Sequence, residues 1–174
     1  MDGECMEEVT RLSPLANWQV LFLKPRSEKK VAEVCSIYGI PHYLPLRTVP
    51  RVSQRRRFNV TLPLFPGYIF AAVTPENRMP ILRTNHLIRT LTPRHSVSLL
   101  RDLVQVRRAL AITPDLQPVV ELVTGQKIRI KSGPFMGAEG VVERLASSMR
   151  VVLTVNMIGQ GVSVTAKRSQ VELA

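Results

Sequence analysis

The sequence feature that most constrains this chain is the octapeptide PLFPGYIF at residues 63–70. Its second half continues into Ala71, Ala72 and Val73, and such an apolar run with strong β formers is typical of a buried strand. The first half contains two prolines and a glycine, which fix the backbone and limit its pairing with a neighbouring strand. The octapeptide therefore predicts a buried strand with a fixed entry.

Strand alternation distributes the aromatic side chains of this segment over two faces. Tyr68 and Phe70 fall on one face, together with Pro66, and Phe65 falls on the other with Ile69. Both faces are then apolar. Either both are covered within the domain, or one of them is a docking surface for another protein.

The charge of the chain is strongly positive and unevenly distributed. The chain carries 24 Lys and Arg against 13 Asp and Glu, a net charge of +11. Residues 11–110 hold 17 of the basic residues and only four of the acidic ones, whereas residues 111–174 are nearly balanced. Such an excess predicts a polyanionic partner for the N-terminal half, rather than a surface that is merely soluble.

Periodicity divides the N-terminal part of the chain into short elements. Residues 1–16 show no periodicity and predict a flexible tail. Helical patterns begin at Ser27, Thr74 and Ser98. The first ends at Gly39, and Pro80 disturbs the second or restarts it one turn later. Strand-like runs, such as residues 87–91, alternate with the helices. Residues 47–61 predict a two-armed ribbon with an arginine-rich tip near Ser53 and Gln54.

The C-terminal part has a different pattern. Prolines and a lack of periodicity mark residues 112–120 as a linker. Residues 121–174 contain only short β-rich runs separated by Gly or Ser turns, which is the pattern of a small β-barrel.

The residues present nearly exclude catalysis and metal binding. Three histidines (His42, His86 and His95) lack the spacing of metal ligands, and no nucleophile–base grouping, P-loop or dinucleotide fingerprint occurs. No apolar run approaches the roughly 18 residues of a membrane span, and the acidic N-terminus is unlike a signal peptide. Two cysteines form no disulfide framework. We expect a cytoplasmic protein without cofactor, metal or membrane partner.

Three motifs, in this order, resemble those of NusG-type transcription factors. The first is WQVL at residues 18–21, followed by KPR at residues 24–26 and a helix. The second is PLFPGYIF at residues 63–70. The third resembles the KOW motif and comprises GQKIRI at residues 125–130, GPFMG at residues 133–137 and GVV at residues 140–142. The resemblance covers roughly residues 17–174.

The resemblance implies a fold and a function. It implies an α+β N-terminal domain at residues 17–111, which is an antiparallel sheet flanked by helices. It also implies an all-β C-terminal KOW domain at residues 121–174, a five-stranded SH3-like barrel on a flexible linker. The function implied is that of a monomeric, non-enzymatic elongation or antitermination factor, which is cytoplasmic and reaches the nucleoid through RNA polymerase.

Members of this family bind the clamp helices of RNA polymerase, reach across the DNA cleft and suppress pausing. The resemblance therefore implies that the strand face with Tyr68 and Phe70 is open. The polymerase-binding residues that we predict are Trp18, Phe65, Pro66, Tyr68, Phe70, Asn77, Arg78 and Met79. Charge and resemblance together predict a second set that contacts the DNA of the elongation complex: Lys24, Arg26, Lys29, Lys30, Arg55, Arg56, Arg57 and Arg83.

The barrel of housekeeping members recruits the termination factor Rho or a small-subunit ribosomal protein through a loop Ile-Phe-Gly-Arg. The matching residues here are MIGQ at 157–160, which lack the aromatic and the arginine. The departure favours a specialised, operon-directed paralogue similar to RfaH. The residues implied in partner contact by the KOW domain are Phe135, Met157, Ile158, Gly159 and Gln160.

Two alternatives stay open. One is a housekeeping NusG that also recruits Rho or the ribosome, and the other is an RNA- or ribosome-binding KOW protein without polymerase contact. The weak charge of residues 111–174 argues against direct RNA binding by the barrel. Some relatives refold the barrel into a helical hairpin, but the β-forming runs at residues 151–155 and 162–165 predict no such switch here.

Overall fold

The computed structural model describes residues 17–119, 125–144 and 149–174, which fall into two compact units. The first unit contains residues 17–45 and 65–100, and the second contains residues 46–64 and the described residues from 101 onward. The predicted tail at residues 1–16 lies outside the described residues. The domain boundaries that the sequence suggested remain a prediction.

The elements are short, and helices are few. Up to residue 112 they are β1 (Trp18–Leu23), α1 (Glu28–Ile37), β2 (His42–Tyr43), β3 (Leu46–Ser53), β4 (Arg56–Pro63), β5 (Tyr68–Ala72), α2 (Met79–Arg83), β6 (Leu87–Leu91) and α3 (Ser96–Ile112). Beyond it they are β7 (Pro118–Val119), β8 (Lys127–Ile130), β9 (Glu139–Arg144), β10 (Met149–Val155), β11 (Gln160–Ala166) and β12 (Val171–Leu173), with single 3-10 turns at Asn156–Ile158 and Arg168–Gln170.

An antiparallel sheet in the order β2-β5-β1-β6 organises the first unit. One face of it packs on α1 and α2 in a core that includes Leu21, Ile69, Val31 and Cys35. Helix α1 ends as its sequence predicts, because Gly39 adopts φ +61° and its N–H bonds the carbonyl of Ser36. The mixed α and β composition with antiparallel sheets agrees with the fold class expected of this part of the chain.

The segment from Thr74 does not begin a helix where the sequence predicts one. The backbone N–H of Thr74 donates to Asn77 Oδ1 at 2.8 Å, and the resulting turn satisfies groups that a helix start would use. Helix α2 begins at Met79 instead, with Pro80 in its first turn. A proline is tolerated there because the N–H of a first-turn residue has no intrahelical partner.

Strands β3 and β4 form the predicted ribbon. All eight residues of β3 pair with β4, from Leu46 opposite Pro63 to Ser53 opposite Arg56. The turn consists of Gln54 and Arg55, both with positive φ (48° and 64°), one residue later than the sequence suggested. Every residue from 50 to 59 is exposed, so neither face of the outer half is buried.

The described C-terminal residues form one antiparallel sheet in the order β12-β8-β9-β10-β11-β7. It has six strands rather than the expected five, because Pro118 and Val119 pair with β11 at one edge. These two residues lie in the segment predicted as a linker. The sheet is rich in valine, and Val151, Val155 and Val162 are fully buried.

Candidate docking and nucleic-acid-binding surfaces

The turn before β5 is held by a buried carboxylate. The backbone N–H of Gly67 donates to Glu28 Oε1 at 2.6 Å, and Glu28 is only 4 % exposed. The carbonyl of Gly67 in turn accepts the N–H of Leu23 at 2.8 Å. Gly67 has φ +83°, and a Cβ at this position would lie 3.3 Å from the Phe22 ring. The turn is therefore tied to both α1 and β1 and requires glycine.

This turn positions Tyr68 in an aromatic and cationic group. Tyr68 and Arg89 both pair with Phe22, so the three side chains share one face of the sheet. The Phe22 and Tyr68 ring centroids are 5.1 Å apart, and the Arg89 guanidinium carbon lies 5.9 Å from the Phe22 centroid. Both rings are partly exposed and Arg89 is exposed. We call Phe22, Tyr68 and Arg89 the Tyr68 patch.

The expectation that Phe70 lies on an open face together with Tyr68 is wrong. Phe70 has no exposed area, and Trp18 and Phe65 are also buried, whereas Pro66 is exposed. The assignment of Phe65 and Phe70 to opposite faces is wrong as well, since their rings meet edge to face at 6.5 Å. Strand alternation does not apply to residues 64–67 because they form a turn, in which the N–H of Tyr68 bonds the carbonyl of Phe65.

The predicted polymerase-binding residues at 77–79 have unlike surroundings. Asn77 is engaged in its own turn, because its Nδ2 donates to the carbonyl of Ala72 at 3.1 Å and its Oδ1 accepts from Thr74. Arg78 is exposed and Met79 is 48 % exposed. Arg78 also lines a pocket of about 290 Å³, with Gln19, Thr74 and Leu82. Arg78 and Met79 can therefore meet a partner directly, and the Asn77 side chain stabilises the loop behind them.

The predicted DNA-contacting residues of the first unit are all on the surface. Four lie around the start of α1, and Arg83 lies at the end of α2; all are exposed: Lys24, Arg26, Lys29, Lys30 and Arg83. The backbone N–H of Lys24 bonds the carbonyl of His86 at 2.9 Å, which fixes the strand end from which these cations project. Positive charge near a helix N-terminus makes this region suited to a phosphate.

The β3–β4 hairpin carries the other predicted set. Arg55, Arg56 and Arg57 are exposed at its tip, and Arg51 is exposed on the facing strand. Nearer its base, Arg47 Nη1 donates to Gln117 Oε1 at 2.8 Å. The site residues predicted from the sequence do not include Phe22, Arg89, Arg51 or Phe58. These residues become neighbours of predicted site residues only through strand pairing. The register of that pairing cannot be read from the sequence of an individual strand.

The KOW-partner residues predicted from the resemblance lie in two loops of the second unit. Phe135 is half-buried, and the next residue, Met136, is 66 % exposed. Met157 and Ile158 form a 3-10 turn, Gly159 ends it with φ +62°, and Gln160 begins β11. Met157 through Gln160 are partly exposed.

The 3-10 turn is anchored to helix α3. Asp102 Oδ2 accepts the backbone N–H of Asn156 at 3.1 Å and its side-chain Nδ2 at 3.2 Å. Burial raises the pKa of the Asp102 carboxyl above its usual range, and the two hydrogen bonds from Asn156 offset this only in part. In the same unit, Gln105 Oε1 accepts the N–H of Glu139 at 2.6 Å.

The described residues offer no group of three or more His, Cys, Asp or Glu that could hold a metal ion. Cys35 is a buried cysteine in the core of the first unit. In the part of the chain that the structure describes, no helix has both the length and the apolar character of a membrane span.

Comparison with known proteins agrees with the motifs. The family model for the transcription termination factor nusG matches residues 16–109. The chain belongs to the NusG family. Members of this family are transcription factors, and so is this chain. The family that the three sequence motifs predicted is confirmed. The similarity to RfaH is a finer assignment and is taken up below.

One solved structure supports the same fold for this NusG-family chain. A structure describing domain interaction in Thermotoga maritima NusG aligns with a TM-score of 0.50 and 19 % identity, covering 90 % of this chain and 96 % of that one. Conformations A and B of the MjSpt4:Spt5 complex align with TM-scores of 0.29 and 14 % identity, covering 90 % of this chain and 97 % and 96 % of theirs. Only the first alignment supports the fold.

Proposed function

We propose that this NusG-family protein binds RNA polymerase through the clamp helices, contacts the DNA of the elongation complex and suppresses pausing or termination. The Tyr68 patch carries the proposal. It joins two partly exposed aromatic rings to an exposed guanidinium group on one sheet face. Aromatic and arginine side chains are enriched among the residues that dominate binding at protein interfaces.

The nucleic-acid part of the proposal rests on charge and exposure. The cations around the start of α1 and at the tip of the β3–β4 hairpin are exposed. Exposed lysine and arginine side chains can neutralise phosphates without reading a base sequence. We therefore assign the cations around the start of α1 and those of the hairpin tip to contact with the phosphates of DNA. Contact that is independent of base sequence suits a factor that stays bound to a transcribing polymerase.

We further propose that the C-terminal sheet is a KOW-type barrel and that the protein is an operon-directed paralogue similar to RfaH. The KOW proposal rests on the all-β sheet and on the motif at residues 125–142. The specialised role rests on MIGQ at residues 157–160, which lacks the aromatic and the arginine of the housekeeping loop. On this reading the barrel does not recruit Rho or the ribosome.

The polymerase contact is tested by binding of the purified chain to RNA polymerase. We expect Tyr68→Asp to abolish retention, because the change removes one of the two rings of the patch and puts in its place a carboxylate that would lose its water at the interface. Arg89→Ala leaves the rings in place and should weaken retention by about ten-fold, as loss of an interface hot spot does.

Tyr38→Asp is the matched control, because Tyr38 is a 60 % exposed tyrosine at the end of α1. Its retention should equal that of the unmodified chain. Thermal unfolding of each variant checks that the fold is preserved. If Tyr68→Asp and Arg89→Ala both remain folded and bind polymerase like Tyr38→Asp, the docking proposal is wrong.

A further inference from the structure

The outer half of the β3–β4 hairpin presents an aromatic side chain to solvent. Phe58 is 47 % exposed and lies directly opposite Arg51 in the strand register. Opposed residues of an antiparallel pair point to the same face, and so do residues two apart on one strand. Phe58 therefore shares its face with Arg51 and with Arg56. We call these three residues the hairpin platform.

The platform lies in a strongly basic part of the chain. The hairpin from Leu46 to Pro63 contains five arginines and no acidic residue. In the described residues, neither the side chain of Phe58 nor those of Arg51 and Arg56 have an ion-pair, hydrogen-bond or ring partner. A partly exposed ring bordered by uncompensated positive charge is therefore available to a ligand that supplies both a flat apolar surface and negative charge.

The turn supports a functional reading of the same hairpin. Two-residue turns with positive φ at both positions favour Asn-Gly or Asp-Gly, because most side chains disfavour that conformation. Here the two positions are Gln54 and Arg55, at φ 48° and 64°. The hairpin thus has an arginine at a position where glycine would be less strained, and strained backbone of this kind is concentrated at binding and catalytic sites.

We propose that the hairpin platform binds single-stranded nucleic acid, with Phe58 stacking on an unpaired base while Arg51 and Arg56 contact the flanking phosphates. Every base has a flat face, so stacking requires no particular sequence, and the charge of the hairpin supplies the rest of the affinity. A paired base is already stacked within its duplex and cannot offer that face. The inference deepens the nucleic-acid contact proposed above, and it predicts a preference for unpaired strands.

The test measures binding of the full chain to fluorescein-labelled oligothymidine, oligouridine and duplex DNA of equal length by fluorescence anisotropy. Phe58→Leu keeps the apolar bulk but removes the aromatic ring. Loss of one stacked base should weaken binding to single strands about five-fold or more. Duplex binding, which depends on the arginines, should stay within about two-fold. If Phe58→Leu loses affinity for oligothymidine, DNA is a ligand of the platform. If it loses affinity for oligouridine, RNA is a ligand.

A second variant supplies a spectroscopic signature. Phe58→Trp should restore single-strand affinity, and its fluorescence should be quenched on binding because the indole stacks on a base. The matched control is Val52→Trp, since Val52 is 69 % exposed on the opposite face of the same hairpin. The native Trp18 is buried and provides a constant background.

Two results would overturn the platform. One is undiminished single-strand affinity of Phe58→Leu, and the other is equal quenching of the tryptophans at positions 58 and 52. If Phe58→Leu lost affinity equally for duplex and single-stranded oligonucleotides, the proposed preference for unpaired bases would be wrong. The assay contains no polymerase, so its failure leaves the Tyr68 test of the docking proposal unaffected, and the reverse is also true.

Discussion

The carboxylate of Glu28 accepts the backbone N–H of Gly67 at 2.6 Å, although 39 positions separate the two residues in the sequence. This bond joins the first turn of α1 to the turn that leads into β5. It satisfies the buried Gly67 donor, and it fixes the backbone directly before Tyr68. The proposed docking patch therefore depends on a residue that does not belong to it.

Removal of the Glu28 carboxylate should lower stability. We expect Glu28→Ala to reduce the free energy of unfolding by about 1–3 kcal/mol, because the Gly67 N–H would stay buried without an acceptor. Glu28→Gln keeps an acceptor oxygen and should lose less. Urea denaturation measures both, and Glu33→Ala, on the exposed side of the same helix, is the control. A Glu28→Ala variant as stable as Glu33→Ala would contradict this role.

Two glycines with positive φ should respond differently to alanine. Gly39 (φ +61°) has no atom within 4 Å of a built Cβ, so Gly39→Ala should cost only the left-handed backbone penalty, about 1 kcal/mol. Gly67→Ala should cost about 2 kcal/mol or more, because its Cβ would also press on the Phe22 ring at 3.3 Å. Urea denaturation compares the pair. Equal losses would mean that Phe22 moves aside without cost.

At the hairpin tip, Arg55 should lower the stability of the fold and raise the affinity for nucleic acid. Arg55→Gly relieves the left-handed backbone and should stabilise the chain by up to about 1 kcal/mol. It also removes one phosphate contact, so the slope of log affinity against log salt should fall by about 0.7–0.9 in magnitude. Gln54→Asn is the control, since it eases the turn without changing charge. If Arg55→Gly left the salt dependence unaltered, Arg55 would have no phosphate contact.

The Asp102 carboxyl should destabilise the protein at neutral pH. Its pKa is raised by burial, so the folded state holds the proton more tightly than the unfolded state does. Stability should therefore fall as pH rises from the unfolded pKa of about 3.9 through the raised folded pKa. Asp102→Asn keeps an acceptor for Asn156 and removes this dependence.

Thermal melts of the two proteins from pH 4 to pH 8 measure this effect. Asp102→Asn should unfold at a higher temperature than the unmodified chain at neutral pH, and the difference should shrink toward acid. The opposite trend, with the carboxylate form more stable at neutral pH, would mean that the Asn156 hydrogen bonds outweigh the cost of burial.

Several elements could be predicted from local sequence because their determinants are local. Ser27 and Gly39 bracket α1, and β6 begins and ends where the apolar run at residues 87–91 does. The basic ribbon follows from alternation around a polar tip. The three motifs also lead to the NusG family, which the family match confirms. Such signals depend on backbone preferences and spacing within a few residues.

The composition of the docking surface is decided by the tertiary structure. The sequence placed Tyr68 and Phe70 together on an open face, but the fold buries Phe70 and sets Tyr68 beside Phe22 and Arg89. Likewise Phe58 gains Arg51 as a neighbour only when β3 pairs with β4. Sequence by itself determined the family, the short elements and the uneven charge. Exposure and side-chain neighbours depend on strand register and on long-range packing, which bring together residues that no local pattern connects.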